Sequence, residues 1–182
     1  KHYLNRNSKI GSKKNISFHY DLGNSFYEKW LDKSMTYSSG MFKKESDDLY
    51  NAQLNKYRNL AKITDIKNND KVLEVGCGWG GFSCFLAKNF SADVTAITIS
   101  KKQYEKVKEK VFKEKLTEKI NVKLTDYREI KGLYDKIVSI EMFEAVGEKY
   151  WSKYFEVLGN NLKYNGAIGL QTITIEDKFF KK

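Results

Sequence analysis

No proline occurs in the 182 residues, where average usage of about 5% would place roughly nine. That absence removes polyproline recognition segments, proline-stiffened linkers and every catalytic motif containing a proline. Arginine is nearly missing too, with three residues (Arg6, Arg58, Arg128) against thirty lysines. Together with fourteen asparagines this points to AT-biased coding, so part of the positive charge reflects mutational drift. Cysteine is confined to Cys77 and Cys84, seven apart and without paired histidines, which argues against a disulfide framework and a zinc site. No apolar run approaches about eighteen residues, so nothing spans a bilayer as a helix, and no signal-peptide pattern is present. These features together favour a cytosolic compartment.

What is present is a foldable chain. It is 41% hydrophobic and 14% aromatic, enough for a real core in one domain of ordinary size. The balance of 33 basic to 23 acidic residues gives +10. Such a surface favours an anionic partner, either a phosphate backbone or a membrane face. A solvated lysine-rich surface is the plainer alternative. A first residue other than Met, and a last segment ending in mid-pattern, suggest a fragment of a longer protein.

Three regions follow from the patterning. Residues 1–17 are polar and basic, a lead-in or arm. Residues 18–70 form a helical and aromatic lid segment, with Phe18, Tyr20, Phe26, Tyr27, Trp30, Tyr37 and Phe42 early on. Ser46-Asp47-Asp48 then starts a helix running through Ile63, with Tyr57, Leu60 and Ala61 on its apolar face. Residues 71–182 alternate strands with helices. Strands are expected at Lys71–Val75, Val94–Thr98, Ile120–Leu124, Lys136–Ile140 and Ala167–Ile175. Trp151, Tyr154, Phe155, Leu158 and Leu162 mark the stripe of a late helix. The alternation predicts an α/β, doubly wound, Rossmann-like parallel sheet with ligands at the strands' C-terminal ends.

Glu74-Val-Gly76-Cys77-Gly78-Trp79-Gly80 lies between a strand and a helix, the context that gives a glycine-rich loop meaning. Glycines let the backbone turn sharply and approach a ligand. The spacing is GxGxGG rather than GxGxxG, and no acid ends the second strand (Ala96-Ile97-Thr98-Ile99-Ser100) to hold a ribose. The E-x-G-x-G-x-G form resembles motif I of S-adenosylmethionine-dependent methyltransferases. There the loop accommodates the amino acid portion of the cofactor. After the third strand, Thr125-Asp126-Tyr127-Arg128 falls at the same crevice, where Asp126 can accept from an adenine amine.

Three further segments, HYDLGNSFY (19–27), SMTYSSGMF (34–42) and IVSIEMFEAVG (137–147), complete a pattern. With VLEVGCGWGGF they resemble the cyclopropane-fatty-acyl-phospholipid and mycolic acid cyclopropane synthases, over residues 12–176. The resemblance implies methyl transfer from S-adenosylmethionine to the cis double bond of an unsaturated phospholipid acyl chain. It implies a class I methyltransferase sheet of seven strands, of which five fall before Lys182. It implies cofactor contacts from Tyr37 and Ser38, from the loop through Gly80, from Thr98, Ile99, Ser100 and Gln103, and from Tyr127 and Arg128. It also implies a bicarbonate ion held by a Cys, a Glu, a His, a Tyr and backbone groups. Glu144 matches the glutamate and Ile173 the backbone position. Ser39 stands where the Cys is usual, Gln171 where the His is, and the Tyr would lie beyond Lys182. Glutamine keeps an N–H donor but cannot titrate as imidazole does.

Attack of an alkene on a sulfonium methyl leaves a carbocation, so such a site must be dry and present negative or π-electron density. A base then removes a proton from the added methyl. Glu144 is placed to act directly or through bicarbonate, with Glu141, three residues earlier, its local rival. His2 and His19 are read as structural. A nucleic-acid methyltransferase is disfavoured: the motif after the fourth strand is Ser139-Ile140-Glu141-Met142, with no proline, and neither cysteine suits a cytosine-C5 enzyme. A small-molecule N-methyltransferase of the same fold is the alternative, and a catalytically silent cofactor-binding protein a third. The lipid reading places the protein at the inner face of a membrane, peripherally, on an anionic surface; a homodimer is compatible with it.

Overall fold

The computed structural model describes residue 11 and residues 23–180. The arm (apart from residue 11), the first four residues of the HYDLGNSFY segment, and both histidines lie outside the described residues. Five strands form one parallel sheet: β1 (Lys71–Val75), β2 (Asp93–Thr98), β3 (Ile120–Leu124), β4 (Tyr134–Ile140) and β5 (Leu162–Gln171). Their order is β3-β2-β1-β4-β5, so the winding direction reverses between β1 and β4. That reversal opens a crevice beyond the carboxyl ends of the two strands, where this class of sheet binds ligands.

Helices cover both faces. On one lie α2 (Leu49–Ile63), α3 (Gly81–Phe90) and α4 (Lys101–Lys113), preceded by the short α1 (Asn24–Tyr27). Tyr57, Leu60, Phe82, Leu86, Val107 and Val111 pack there against Val72, Val94, Ala96 and Val138. On the other, Tyr154 and Leu158 of α5 (Trp151–Asn160) pack against Leu73, Val75, Ile97 and Ile137. The apolar strands thus alternate their side chains between two separate cores, the mark of a sheet buried on both faces.

Local chemistry sets the boundaries. Asp48 caps α2 by accepting from the Asn51 N–H at 2.7 Å, and Ser100 caps α4 by accepting from Gln103 N–H. Several expected boundaries move: β2 begins at Asp93 rather than Val94 and β4 at Tyr134 rather than Lys136. Leu162 belongs to β5, paired with Tyr134, and not to the preceding helix. Asn161 stops that helix: its amide donates back to Val157 O at 2.8 Å while its own carbonyl accepts from Tyr134 N–H. At the far end β5 stops at Gln171 rather than Ile175, because β4 ends opposite it at Ile140.

Candidate active site

The glycine loop leaves β1 and is fastened at once to its neighbour, Gly76 and Cys77 N–H both donating to Ile97 O at 3.1 and 2.9 Å. Gly76, Gly78 and Gly80 all have positive φ. Gly80 must be glycine twice over: its φ is 77°, and an added Cβ would lie 2.8 Å from Val107 Cγ1 in the core. Gly78 differs, since a Cβ there would meet nothing within 4 Å; the loop presents bare backbone to open space at that point. Such a cradle fits the polar end of a ligand that approaches the main chain closely.

Around it, the candidate residues divide by what they touch. Glu74 is 3% exposed and takes a hydrogen bond from Ser83 Oγ, and burial lifts its carboxyl to about 7. Trp79 is buried, donates to Asn24 Oδ1 at 2.9 Å and packs on Tyr27 with centroids 4.9 Å apart. Thr98 donates to Gln103 Oε1 at 2.7 Å and accepts from Ser100 N–H at 3.1 Å, which closes the turn after β2 with Ile99 half-buried between them. Asp126 is buried, and Arg128 grips both its oxygens through Nε at 2.7 Å and Nη2 at 2.6 Å. The expected adenine acceptor is therefore bound by Arg128, two residues on, in one charge-assisted unit. Tyr127 stacks edge-on against Tyr154 at 5.1 Å. Neither cysteine is a nucleophile: Cys77 and Cys84 are free and buried, and burial pushes the Cys84 thiol up to about 12.

The second cluster brings together residues more than a hundred positions apart. Ser39 donates to Glu141 Oε1 through its N–H at 3.0 Å and its hydroxyl at 2.7 Å. Gln171 Nε2 donates to the same oxygen at 2.9 Å and to Ser39 Oγ at 3.3 Å. Glu144, the residue the resemblance singles out, instead accepts from Ile173 N–H at 2.5 Å. Glu141 can reach both partners because its φ is +48° and its own N–H donates to Gln171 O at 2.8 Å. Ser39, Gln171 and Ile173 are thus all present at one edge, but two carboxylates share them.

Lys56 is a member of this site that sequence reasoning passes over. It is 3% exposed, and its ammonium donates to Ser38 Oγ at 2.5 Å, while Gln53 Nε2 donates to Ser38 O at 2.8 Å. Burial lowers its pKa to about 8, with Glu141, Asp32 and Glu74 pulling the other way. The signal was available: Gln53, Lys56, Tyr57 and Leu60 share one face of α2, so two polar residues sit on an apolar stripe. Tyr37 stays 43% exposed beside Tyr27 and Trp30.

The sequence profile of the mycolic acid cyclopropane synthetase family matches residues 7–181. The chain belongs to this family. Among relatives, it is 38% identical over 161 residues to the probable fatty acid methyltransferase of Pseudomonas putida, covering 87% of this chain and 41% of that one. It is 39% identical over 155 residues to the cyclopropane-fatty-acyl-phospholipid synthase of Escherichia coli K12, covering 85% and 39%. The mycolic acid cyclopropane synthase CmaA1, solved in complex with SAH and CTAB, superposes with a TM-score of 0.83 at 28% identity, covering 87% and 55%. The chain spans about two fifths of the length of the first two relatives. The fold is that of the class I methyltransferases, as the resemblance implies, built on the doubly wound parallel sheet that the strand alternation predicts.

Proposed function

We propose that the protein transfers a methyl group from S-adenosylmethionine to the cis double bond of an unsaturated acyl chain, with phospholipid as the chain's carrier and a cyclopropane or methyl-branched product. The observation that carries the reading is the placement of Glu141 and Glu144 just beyond β4, directly across the sheet reversal from the bare-backbone loop that ends β1. When bound, S-adenosylmethionine supplies an electrophilic methyl group on a sulfonium. Gly76, Gly78 and Gly80 would admit its amino acid portion, and Tyr37, Ser38, the turn from Thr98 to Gln103, and the Asp126–Tyr127–Arg128 unit would border the rest.

The chain's residues then have distinct tasks. Lys56 and Gln53 fix Ser38 from beneath, so the Tyr37–Ser39 turn is held over the crevice. The carboxylates give negative charge where positive charge develops on the acyl chain. Glu144, anchored on Ile173 N–H, is the proposed base for the proton lost from the added methyl. Exposed apolar residues flank both anchoring segments, Met41 and Phe42 on one side and Ile173 and Ile175 on the other, and offer the acyl chain a surface that excludes water.

The test is transfer of radioactive methyl from S-adenosylmethionine to unsaturated phospholipid vesicles by the full-length protein, with saturated vesicles and small amines as rival acceptors. Label is expected in the unsaturated lipid alone; label in the amines would favour N-methyl transfer. Glu144→Gln is expected to lower turnover by at least about a hundredfold while cofactor affinity stays within about threefold, the pattern of a group needed in the transition state and not for binding.

A further inference from the structure

The donor set that the family resemblance gives to a bicarbonate ion does not fit that ion in this chain. Ser39 N–H, Ser39 Oγ and Gln171 Nε2 already converge on one carboxylate oxygen of Glu141, and Ile173 N–H is spent on Glu144. A further anion would compete with these side chains for the same donors. It would also stand beside two carboxylates, where like charges repel.

We propose that Glu141 is the resident anion of this site: its carboxylate occupies the Ser39–Gln171 donor set in place of an external anion, so that the protein works without bicarbonate. This deepens, and rests on, the proposed lipid methyl transfer. Several independent features meet at Glu141. Its backbone adopts φ +48°, a left-handed conformation that glutamate takes rarely, and from it the side chain reaches Ser39 of the lid turn. Its N–H donates to the carbonyl of Gln171, the last residue of β5, whose side-chain amide is a pure hydrogen-bond partner at every pH. Lys56, buried behind Ser38, supplies opposite charge on the other side of the turn. Glu141 is therefore a positioning residue. It ties the Ser38–Ser39 turn to the end of β5 and sets a fixed negative charge next to Glu144, without itself being assigned a proton transfer.

The experiment uses the full-length protein in buffer stripped of carbon dioxide. Binding of carbon-13 bicarbonate is followed by NMR, and methyl transfer to unsaturated vesicles is measured with and without millimolar bicarbonate. The wild type is expected to show no saturable bicarbonate binding and a rate changed by less than about twofold on its addition. Glu141→Gly suits the left-handed backbone, so it is expected to fold, and it should gain saturable bicarbonate binding. Glu141→Gln keeps an oxygen for Ser39 but loses the charge, and should lower the rate at least about tenfold at every bicarbonate level with cofactor affinity unchanged. Saturable binding to the wild type, silence of the glycine variant, or a fully active glutamine variant would each overturn the proposal. Binding is read without lipid, so it reports on the donor set even if no lipid is methylated; that result would overturn the functional reading instead.

Discussion

Glu74 shows what a single buried carboxyl does to this fold. Its folded-state pKa is raised from 4.5 to about 7, so the folded protein holds the proton more tightly than the unfolded chain. The stability this adds is fully present below pH 4.5 and is lost as pH rises through 7. Glu74→Gln keeps an acceptor for Ser83 and removes the titration. Urea unfolding across pH 4.5 to 7 should therefore show the wild type losing about 3 kcal/mol relative to the variant, each pKa unit being about 1.4 kcal/mol. Parallel curves for the two proteins would mean that Glu74 is ionised in the fold. The same residue scale shows what sequence can convey. Ser39, Gln171 and Ile173, which the family pattern groups, lie at one edge of the sheet against Glu141 and Glu144. The sharing of Ser39 and Gln171 by Glu141 was not legible, because it depends on a left-handed backbone at one position and on a contact spanning 102 residues.

Elements were read more easily, because their signals are local. Each strand of 71–140 appears at its apolar residues: β1, β2 and β4 are buried on both faces, and edge strand β3 keeps only Ile120 fully buried. The helix that packs before β5 was drawn too long, because Leu162 continues its apolar spacing; the Asn161 cap that ends it is a matter of side-chain geometry. Trp79 carries a structural contact that its place in the sequence does not reveal. Within a glycine loop the family pattern implies cofactor contact, and the structure adds that its indole holds α1. Trp79→Phe should keep the ring packing on Tyr27 and lose only the bond to Asn24. Hydrogen exchange is expected to quicken by about fivefold or more at residues 24–31 for one such lost bond, with β1 and β2 unchanged. Equal acceleration in the strands would show that the indole supports the sheet instead.

At the scale of the whole molecule, +10 of net charge has a physical consequence whatever its coding origin. The lipid reading places this charge against an anionic leaflet, as an attraction that adds to any apolar contact made by the exposed residues of segments 41–42 and 173–175. Among the described residues no helix is long and apolar enough to cross a membrane. Sedimentation with unsaturated vesicles should therefore depend on headgroup. Binding is expected to anionic vesicles at low ionic strength, to fall at least about tenfold near 0.5 M salt, and to be weak on zwitterionic vesicles throughout. Salt-independent binding to both would assign the attachment to apolar contacts alone.

The Ser39–Glu141–Gln171 cluster also bears on the order in which the fold assembles. Ser39 and Gln171 stand 132 positions apart, with all five strands between them or ending there. Closing so long a loop becomes favourable only after the intervening sheet has assembled. The Ser39–Glu141–Gln171 edge is thus a late product of folding, completed only when β5 joins the sheet.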